Sequence, residues 1–410
     1  MLDEITSILG EWEGYFVSAA SRIESKPDGS PPVIEVSLSP NLDRTFVCDG
    51  CGCEATTIHE LVPRRVRDLP VFDAITWLLV ERVRVDCDEC GHRVERIDWL
   101  PTYSRMTTRL VESIGRLCRV LTIKHVADHF HLGWDAVKRA DLCFLQRTIG
   151  PPDLSRVELI VMDEFAIQKG HRYATVIADP CTKEVLWVCR GRGRADIRPF
   201  FEALGDEGRE RLKAAAIDMN AGYEEEIRAQ CPNAEVVFDL FHVVAKFGRE
   251  VIDRVRVDEA NRLRHDKSAR RVVKGSRWLL LRNAENVTRP QDKVRLKELL
   301  KANKKLLTVY VLKDDLKHLW DFKYPKAAER FWKQWYSRAI RSRIEPLKRF
   351  ARNLKRYLPG IISHCRFPLH TSLIEGINNK IKVIKRMAYG FRDDNYFFLK
   401  IRAAFPGNRG

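Results

Sequence analysis

The sequence predicts a multidomain α/β protein, on three observations. Two C-x-x-C knuckles stand near the N-terminus. A central series of short apolar segments alternates with helical stretches and repeatedly stops at an acid. The charge divides near Leu240. From there on the chain holds 42 basic and 16 acidic residues, against 30 and 40 before it, so the +16 of the 410 residues resides in the second part. That asymmetry points to a polyanion partner, most simply nucleic acid, over a merely solvated basic surface.

Other classes are excluded early. No stretch nears the roughly 18 uninterrupted apolar residues of a membrane span. Met1-Leu-Asp-Glu-Ile lacks the basic and apolar regions of a secretory signal. The 11 cysteines are odd in number and mostly single. They suit a reducing cytosol and a metal site better than a disulfide scaffold.

The first element is the metal module, at about 45–100 within an N-terminal region 1–105. Cys48-Asp-Gly-Cys51 and Cys87-Asp-Glu-Cys90 each place two thiolates on one tight turn. Brought together, Cys48, Cys51, Cys87 and Cys90 give the four-sulfur tetrahedron that structural Zn²⁺ prefers. Gly50, Gly52 and Gly91 lie where such turns call for positive φ. Ile75–Val80 and Arg82–Val85 read as strands of a zinc-ribbon-like module. Redox-active C-x-x-C is the rival, but nothing around it resembles a thioredoxin unit. Cys53 and His92 are spare ligands, more simply read as ordinary residues.

The second element, 106–150, is helical. Ile114, Leu117 and Leu121 have helical spacing. Lys124–Phe130, the turn His131-Leu-Gly133 and Trp134–Ala140 form a helix-turn-helix pattern, with Trp134, Lys138 and Arg139 presented toward DNA. A plain helical hairpin is the alternative. Gly150-Pro-Pro152 then breaks the helix.

The third element, 151–245, is an α/β core. Glu158–Glu164 reads as a buried strand with Asp163 at its mouth. Tyr173–Ala178 and Glu184–Cys189 follow as strands, then a helix from about Ala195 to Leu204. Ala214–Asp218 is a short strand ending in an acid, Ala221–Gln230 a helix, and Glu235–Asp239 a fifth strand. Three strands, helix, strand, helix, strand is the order of the ribonuclease-H-like fold. Metal-assisted phosphoryl transfer needs hard oxygen ligands converging on two ions. Asp163 and Asp218 would lie side by side in that topology.

At this point the sequence resembles the ISL-three type of bacterial insertion-sequence transposases, over nearly the whole chain. The likeness lies in both knuckles, Asp163-Glu-Phe, Ile217-Asp-Met, Val237-Phe-Asp-Leu-Phe-His-Val243, Gly275-Ser-Arg-Trp-Leu-Leu-Leu281 and Leu312-Lys-Asp-Asp-Leu316. It ends in Ser372-Leu-Ile-Glu-Gly-Ile-Asn-Asn-Lys-Ile-Lys382 and Lys385-Arg-Met-Ala-Tyr-Gly-Phe-Arg392. The resemblance implies a DDE transposase with a zinc-binding N-terminus, a helix-turn-helix and a ribonuclease-H-like catalytic core.

In the last third, a mostly helical basic insertion (246–357) separates the fifth strand from the second part of the core (358–410). Trp278, Trp320, Trp332 and Trp335 lie in it, each more simply core than a base-stacking platform. Thr371-Ser372 with Glu375 fits a capping box. Against that reading, Ile374, Ile377, Ile381 and Ile384 share one helix face, while Glu375, Asn379, Lys382 and Arg386 share another. A carboxylate followed by an amide and cations suits a metal and then DNA phosphate. With the family likeness, Glu375 becomes the third ligand. Asp239 and His242 are near-site residues, Asp239 being the alternative to Asp218 as the second catalytic aspartate. The plainer alternative for the pair is a structural Asp–His hydrogen bond.

The expected activity is Mg²⁺-dependent (or Mn²⁺-dependent) cleavage at an element's terminal inverted repeats, then strand transfer to target DNA through a 3′-hydroxyl. Asp163, Asp218 and Glu375 would hold two ions. The protein would act as at least a dimer, in the bacterial cytoplasm at the nucleoid. A non-catalytic DNA-binding regulator and a metal-dependent nuclease that cuts without joining are the alternatives.

Overall fold

In the computed structural model the described residues are 12–25, 27, 29–168, 170, 172–282, 284–369 and 372–408. The chain forms two compact units. One takes the described residues up to Gly150 together with Lys385–Lys400. The other takes Pro151–Ile384 and the described residues after Lys400. Residues 385–400, expected with the core, thus pack with the N-terminal part.

The first unit begins with strands β1 (Tyr15–Ile23), β2 (Val33–Pro40), β3 (Phe46–Val47), β4 (Glu54–Ala55), β5 (Ile58–Arg67), β6 (Ile75–Cys87) and β7 (Gly91–Val94). The sheet order is β1-β2-β6-β5, with β7 on β6 and β3-β4 as a separate ribbon. The two strands expected at Ile75–Val80 and Arg82–Val85 are one 13-residue strand. The reason for the apparent break is a change of phase. Thr76, Leu78, Val80 and Arg82 are buried, and then Val83, Val85 and Cys87. Leu78 and Val80 join a core with Val36, Leu38 and Val66. Val83 and Val85 join another with Phe46, Cys48 and Cys87. One strand thereby serves two cores, and strict alternation fails at their junction.

Three helices follow: α1 (Thr108–Leu117), α2 (Ile123–Phe130) and α3 (Trp134–Thr148). Thr107 caps α1 through the Leu110 N–H and Thr122 caps α2 through the His125 N–H. Leu121 falls between the two helices and is exposed, so it does not extend the α1 stripe. A Cβ on Gly115 would stand 2.2 Å from the Phe144 ring, so α1 and α3 approach as closely as glycine allows.

The second unit is built on β8 (Leu159–Gln168), β9 (Arg172–Ala178), β10 (Val185–Arg190), β11 (Ala214–Ile217) and β12 (Glu235–Phe238), in the order β10-β9-β8-β11-β12. The pairs β8–β9 and β9–β10 are antiparallel, and β8–β11 and β11–β12 are parallel. All four residues of β11 are buried, as a central parallel strand requires. Helices α4 (Arg194–Arg211) and α5 (Ala221–Gln230) supply the crossovers. They are joined by Glu226, whose buried carboxylate accepts from Arg198 Nε (2.8 Å), Arg194 Nε (3.0 Å) and Gln230 Nε2 (2.9 Å).

Beyond β12 the chain is helical: α6 (Leu240–Phe247), α7 (Asp253–Arg262), α8 (Lys267–Gly275), α9 (Arg277–Leu281), α10 (Pro290–Ala302), α11 (Lys304–Lys317), α12 (Pro325–Arg341), α13 (Glu345–Lys355), α14 (Leu358–Ile362), α15 (Ser372–Met387) and α16 (Asp394–Ala404). The apolar faces of α6–α14 share one continuous core with the sheet, running from Val157 through Phe200 and Phe238 to Trp335 and Ile362. Trp320, Trp332 and Trp335 are buried in it, whereas Trp278 is 68% exposed.

Candidate functional site

The sulfurs of Cys48, Cys51, Cys87 and Cys90 lie within 4.8 Å of one another. A zinc tetrahedron with about 2.3 Å Zn–S bonds separates its sulfurs by roughly 3.8 Å. The four thiols therefore fit one structural ion. Gly52 and Gly91 have φ of 77° and 65°, as the knuckle turns require. Gly50 differs: it has no positive φ, and its missing Cβ instead makes room for Cys90 Sγ, 3.1 Å from where that atom would stand. Cys53 is exposed and contributes its backbone carbonyl to the Cys48 N–H. His92 stacks on His59 at 3.8 Å. Neither belongs to the cluster.

On α3, Trp134 is 48% exposed and Arg139 is exposed. Lys138 is turned differently. Its ammonium stands 3.2 Å from Asp393 and 5.4 Å from the Tyr396 ring centre, so it is half-buried against the C-terminal segment of the same unit. Asp141, one turn further along α3, is fully buried and accepts from the Tyr396 hydroxyl and from Lys400 Nζ at 2.9 Å.

The carboxylates are set by strand register. Ala216 pairs with Val161 on one side and with Val237 on the other. Continued by two residues, the registers bring Asp218 level with Asp163 and with Asp239. Asp163 is not at the end of its strand. β8 runs five residues further because β9 pairs with it as far as Gln168, while β11 stops at Ile217. The acid sits where the parallel neighbour ends, which opens a mouth beside a continuing strand.

Burial, first of all, raises the Asp163 carboxyl to about 6, and the Asp218 charge adds to it. Burial likewise raises Asp218, with Glu164 adding. His242 opposes the rise at both. Glu164 is in turn paired with Arg192 at 2.9 Å. Asp163, Asp218 and Glu164 therefore form one group of crowded acids, of the kind a cation relieves, with His242 acting against the crowding.

Glu375 lies in the first turn of α15 and is half-buried. With Asp239, Phe241, Arg277 and Trp278 it lines a cavity of about 730 Å³. Asp239 is buried and caps α6, its Oδ2 accepting from the Phe241 N–H at 3.1 Å. Among the described residues the cysteines are the one group of three or more ligand-type side chains gathered for an ion; Asp163, Asp218 and Glu375 do not form such a group. Thr371 of the expected capping box lies outside the described residues. Asn379 and Lys382 are exposed and joined at 3.2 Å, and Arg386 is exposed.

Sequence reasoning missed Asn378. It is buried on α15, and its Nδ2 donates to Asp163 Oδ2 at 2.8 Å. The signal was present: positions 374, 377, 378 and 381 complete one helical stripe, and an amide interrupts its isoleucines.

Comparison with known proteins agrees with these parts. A transposase family model, that of the ISL3 DDE domain, matches residues 160–401. The helix-turn-helix domain of transposase family ISL3 matches 95–142, and the zinc-finger of transposase IS204/IS1001/IS1096/IS1165 matches 44–90. The transposase for insertion sequence element IS1001 of Bordetella parapertussis is 52% identical over 410 residues, covering all of both chains. That for IS1557 of Mycobacterium tuberculosis is 25% identical over 396 residues, covering 88% of this chain and 86% of the relative. The zinc ribbon, the helix-turn-helix and the DDE domain thus occur here in one chain, which belongs to the ISL3 family of insertion-sequence transposases.

Proposed function

We propose that β8–β12 form a ribonuclease-H-like catalytic core, with 151–245 as its first part, 246–357 as a helical basic insertion and 358–410 as its second part, apart from the stretch 385–400 that packs with the first unit. The zinc module and helix-turn-helix, within 1–105 and 106–150, bind the terminal inverted repeats of a mobile element. Trp134 and Arg139 face the DNA from α3, and Lys138 joins them when it leaves Asp393. Asn379, Lys382 and Arg386 hold phosphates along α15, so binding falls steeply with salt.

Asp163, Asp218 and Glu375 are the residues that would hold two Mg²⁺ (or Mn²⁺). When bound, the ions supply charge neutralisation at the attacking and leaving oxygens. The chain's residues do the rest. Asp163 and Asp218 offer hard oxygens at one level of the sheet. Glu375 completes the set by moving in from the first turn of α15. Asp239 anchors the α6 N-terminus beside the site, and His242 tempers the charge of both aspartates. Water cleaves the strand at the element's end, and the freed 3′-hydroxyl attacks a target phosphodiester with no covalent protein–DNA bond. Two ends must be joined, so the working form is at least a dimer, acting at the nucleoid in the cytoplasm.

The observation that carries this reading is that Asp163, on β8, feels the charge of Asp218, which directly follows the parallel neighbour β11, and that burial raises both carboxyls. The test is Mg²⁺-dependent cleavage and joining of end-containing DNA by Asp163→Asn, Asp218→Asn, Asp239→Asn and Glu375→Gln. Activity should fall by at least 10³-fold in the first, second and fourth. Loss in Asp239→Asn with activity kept in Asp218→Asn would transfer the second role to Asp239.

A further inference from the structure

We propose that Asn378 is a positioning residue of the cleavage centre: its side-chain amide fixes Asp163 from the helix that carries Glu375, and so sets that centre's affinity for a divalent cation. The proposal rests on the reading of Asp163 as a metal ligand.

Two observations carry it. The first is the bracing of Asp163. Its Oδ2 accepts from Asn378 Nδ2 at 2.8 Å and its Oδ1 from the Glu164 N–H at 2.8 Å. The two donors come from different elements, α15 and β8. A carboxylate gripped at both oxygens does not rotate, and its remaining lone pairs keep a fixed direction. Groups that orient a metal ligand in this way typically govern affinity by 10–100-fold.

The second is what the position gives up. Asn378 is 8% exposed, between Ile374, Ile377 and Ile381, which are at most 1% exposed. Its own Oδ1 is buried without a hydrogen-bond partner among the described residues. An orphaned amide oxygen destabilises a core, and an apolar side chain of similar size would fill this stripe without that penalty. Packing alone therefore favours leucine or isoleucine at 378. The bond to Asp163 is what an amide supplies there and an aliphatic chain cannot. Asn378 also stands three residues after Glu375, so one helix carries both the brace on the first aspartate and the third carboxylate.

The experiment measures Mn²⁺ binding to the zinc-loaded full-length protein, without DNA, by the electron paramagnetic resonance signal of the free ion. Asn378→Leu and Asn378→Ala are compared with wild type, alongside melting temperature and binding of end DNA in EDTA. The expected result is a 10–100-fold weaker Mn²⁺ affinity in both variants. Asn378→Leu should melt no lower than wild type, and end binding should stay within about twofold. A residue that only supports the fold would give the opposite split, a lower melting temperature with Mn²⁺ affinity unchanged, and that result overturns the proposal. If the leucine variant does not fold, Asn378→Ala and Asn378→Ser carry the same comparison. Asp163→Asn separates the two levels of the argument. If it binds Mn²⁺ as wild type does, Asp163 is not a ligand and the underlying reading fails with the proposal. If it loses the ion while the Asn378 variants keep it, only the role of Asn378 is lost.

Discussion

Lys400 holds its ammonium 2.9 Å from the fully buried carboxylate of Asp141, so α3 of the helix-turn-helix is tied to a helix that lies more than 250 residues away in the chain. Tyr396 donates to the same oxygen, Lys400 also donates to the Cys118 carbonyl, and Asp393 takes Lys138. Removing one partner of a buried pair costs on the order of 3–5 kcal/mol, because the other charge is left uncompensated. Lys400→Met should therefore destabilise the reader and weaken end binding, even though Lys400 lies far from the helix-turn-helix in sequence. Asp141→Leu combined with Lys400→Met should recover most of the stability. Thermal melting and fluorescence anisotropy with end DNA check both.

The cysteine cluster gives a second expectation. Purified protein should carry one zinc per chain, and Cys51→Ser should lose it. Cys48 and Cys87 are part of a small core with Phe46, Val83 and Val85, so metal loss should open that core and lower the melting temperature. Cys53→Ser and His92→Asn should keep the full zinc content. Metal analysis by mass spectrometry beside a melting curve decides between these outcomes.

Glu226 sets an acid limit on the catalytic unit. Hydrogen bonds from Arg198 above all, with Gln230 and Arg194, hold its carboxyl down to about 2, against an ordinary 4.5. Between these values the unfolded chain binds a proton that the folded chain refuses. The contribution is complete above pH 4.5 and is lost as the pH falls toward 2. Glu226→Gln should flatten that part of the stability curve while lowering stability at neutral pH by about 1–3 kcal/mol. Denaturant unfolding at a series of pH values measures it.

Much of this was legible because local signals agreed. The knuckles, the Pro-Pro break after Gly150 and the apolar runs of the five core strands carry their own punctuation. The limits of legibility have particular causes. β6 looked like two strands because it changes the face it buries at Arg82–Val83. Asp163 looked like a strand end because the apolar run stops there, although β9 keeps the strand going. Asn378 was passed over because an asparagine on a helix suggests solvent or DNA, and only the packed stripe reveals its burial. Trp278 and Trp335 have the same local character, yet one is 68% exposed and the other 1%. Lys138 reads as a DNA contact on its own helix, and only the fold supplies Asp393. Pairings at such sequence distance leave no periodic trace.

The placement of 385–400 has a consequence for the order of synthesis. The three helices of the reader emerge from the ribosome early, but Asp393, Tyr396 and Lys400 emerge only after the whole catalytic sheet and its helices have been made. In the order of synthesis, α3 therefore precedes every partner that Asp141 and Lys138 take from 385–400. The partners that Asp141 and Lys138 have in the fold are thus the last part of the first unit to be made.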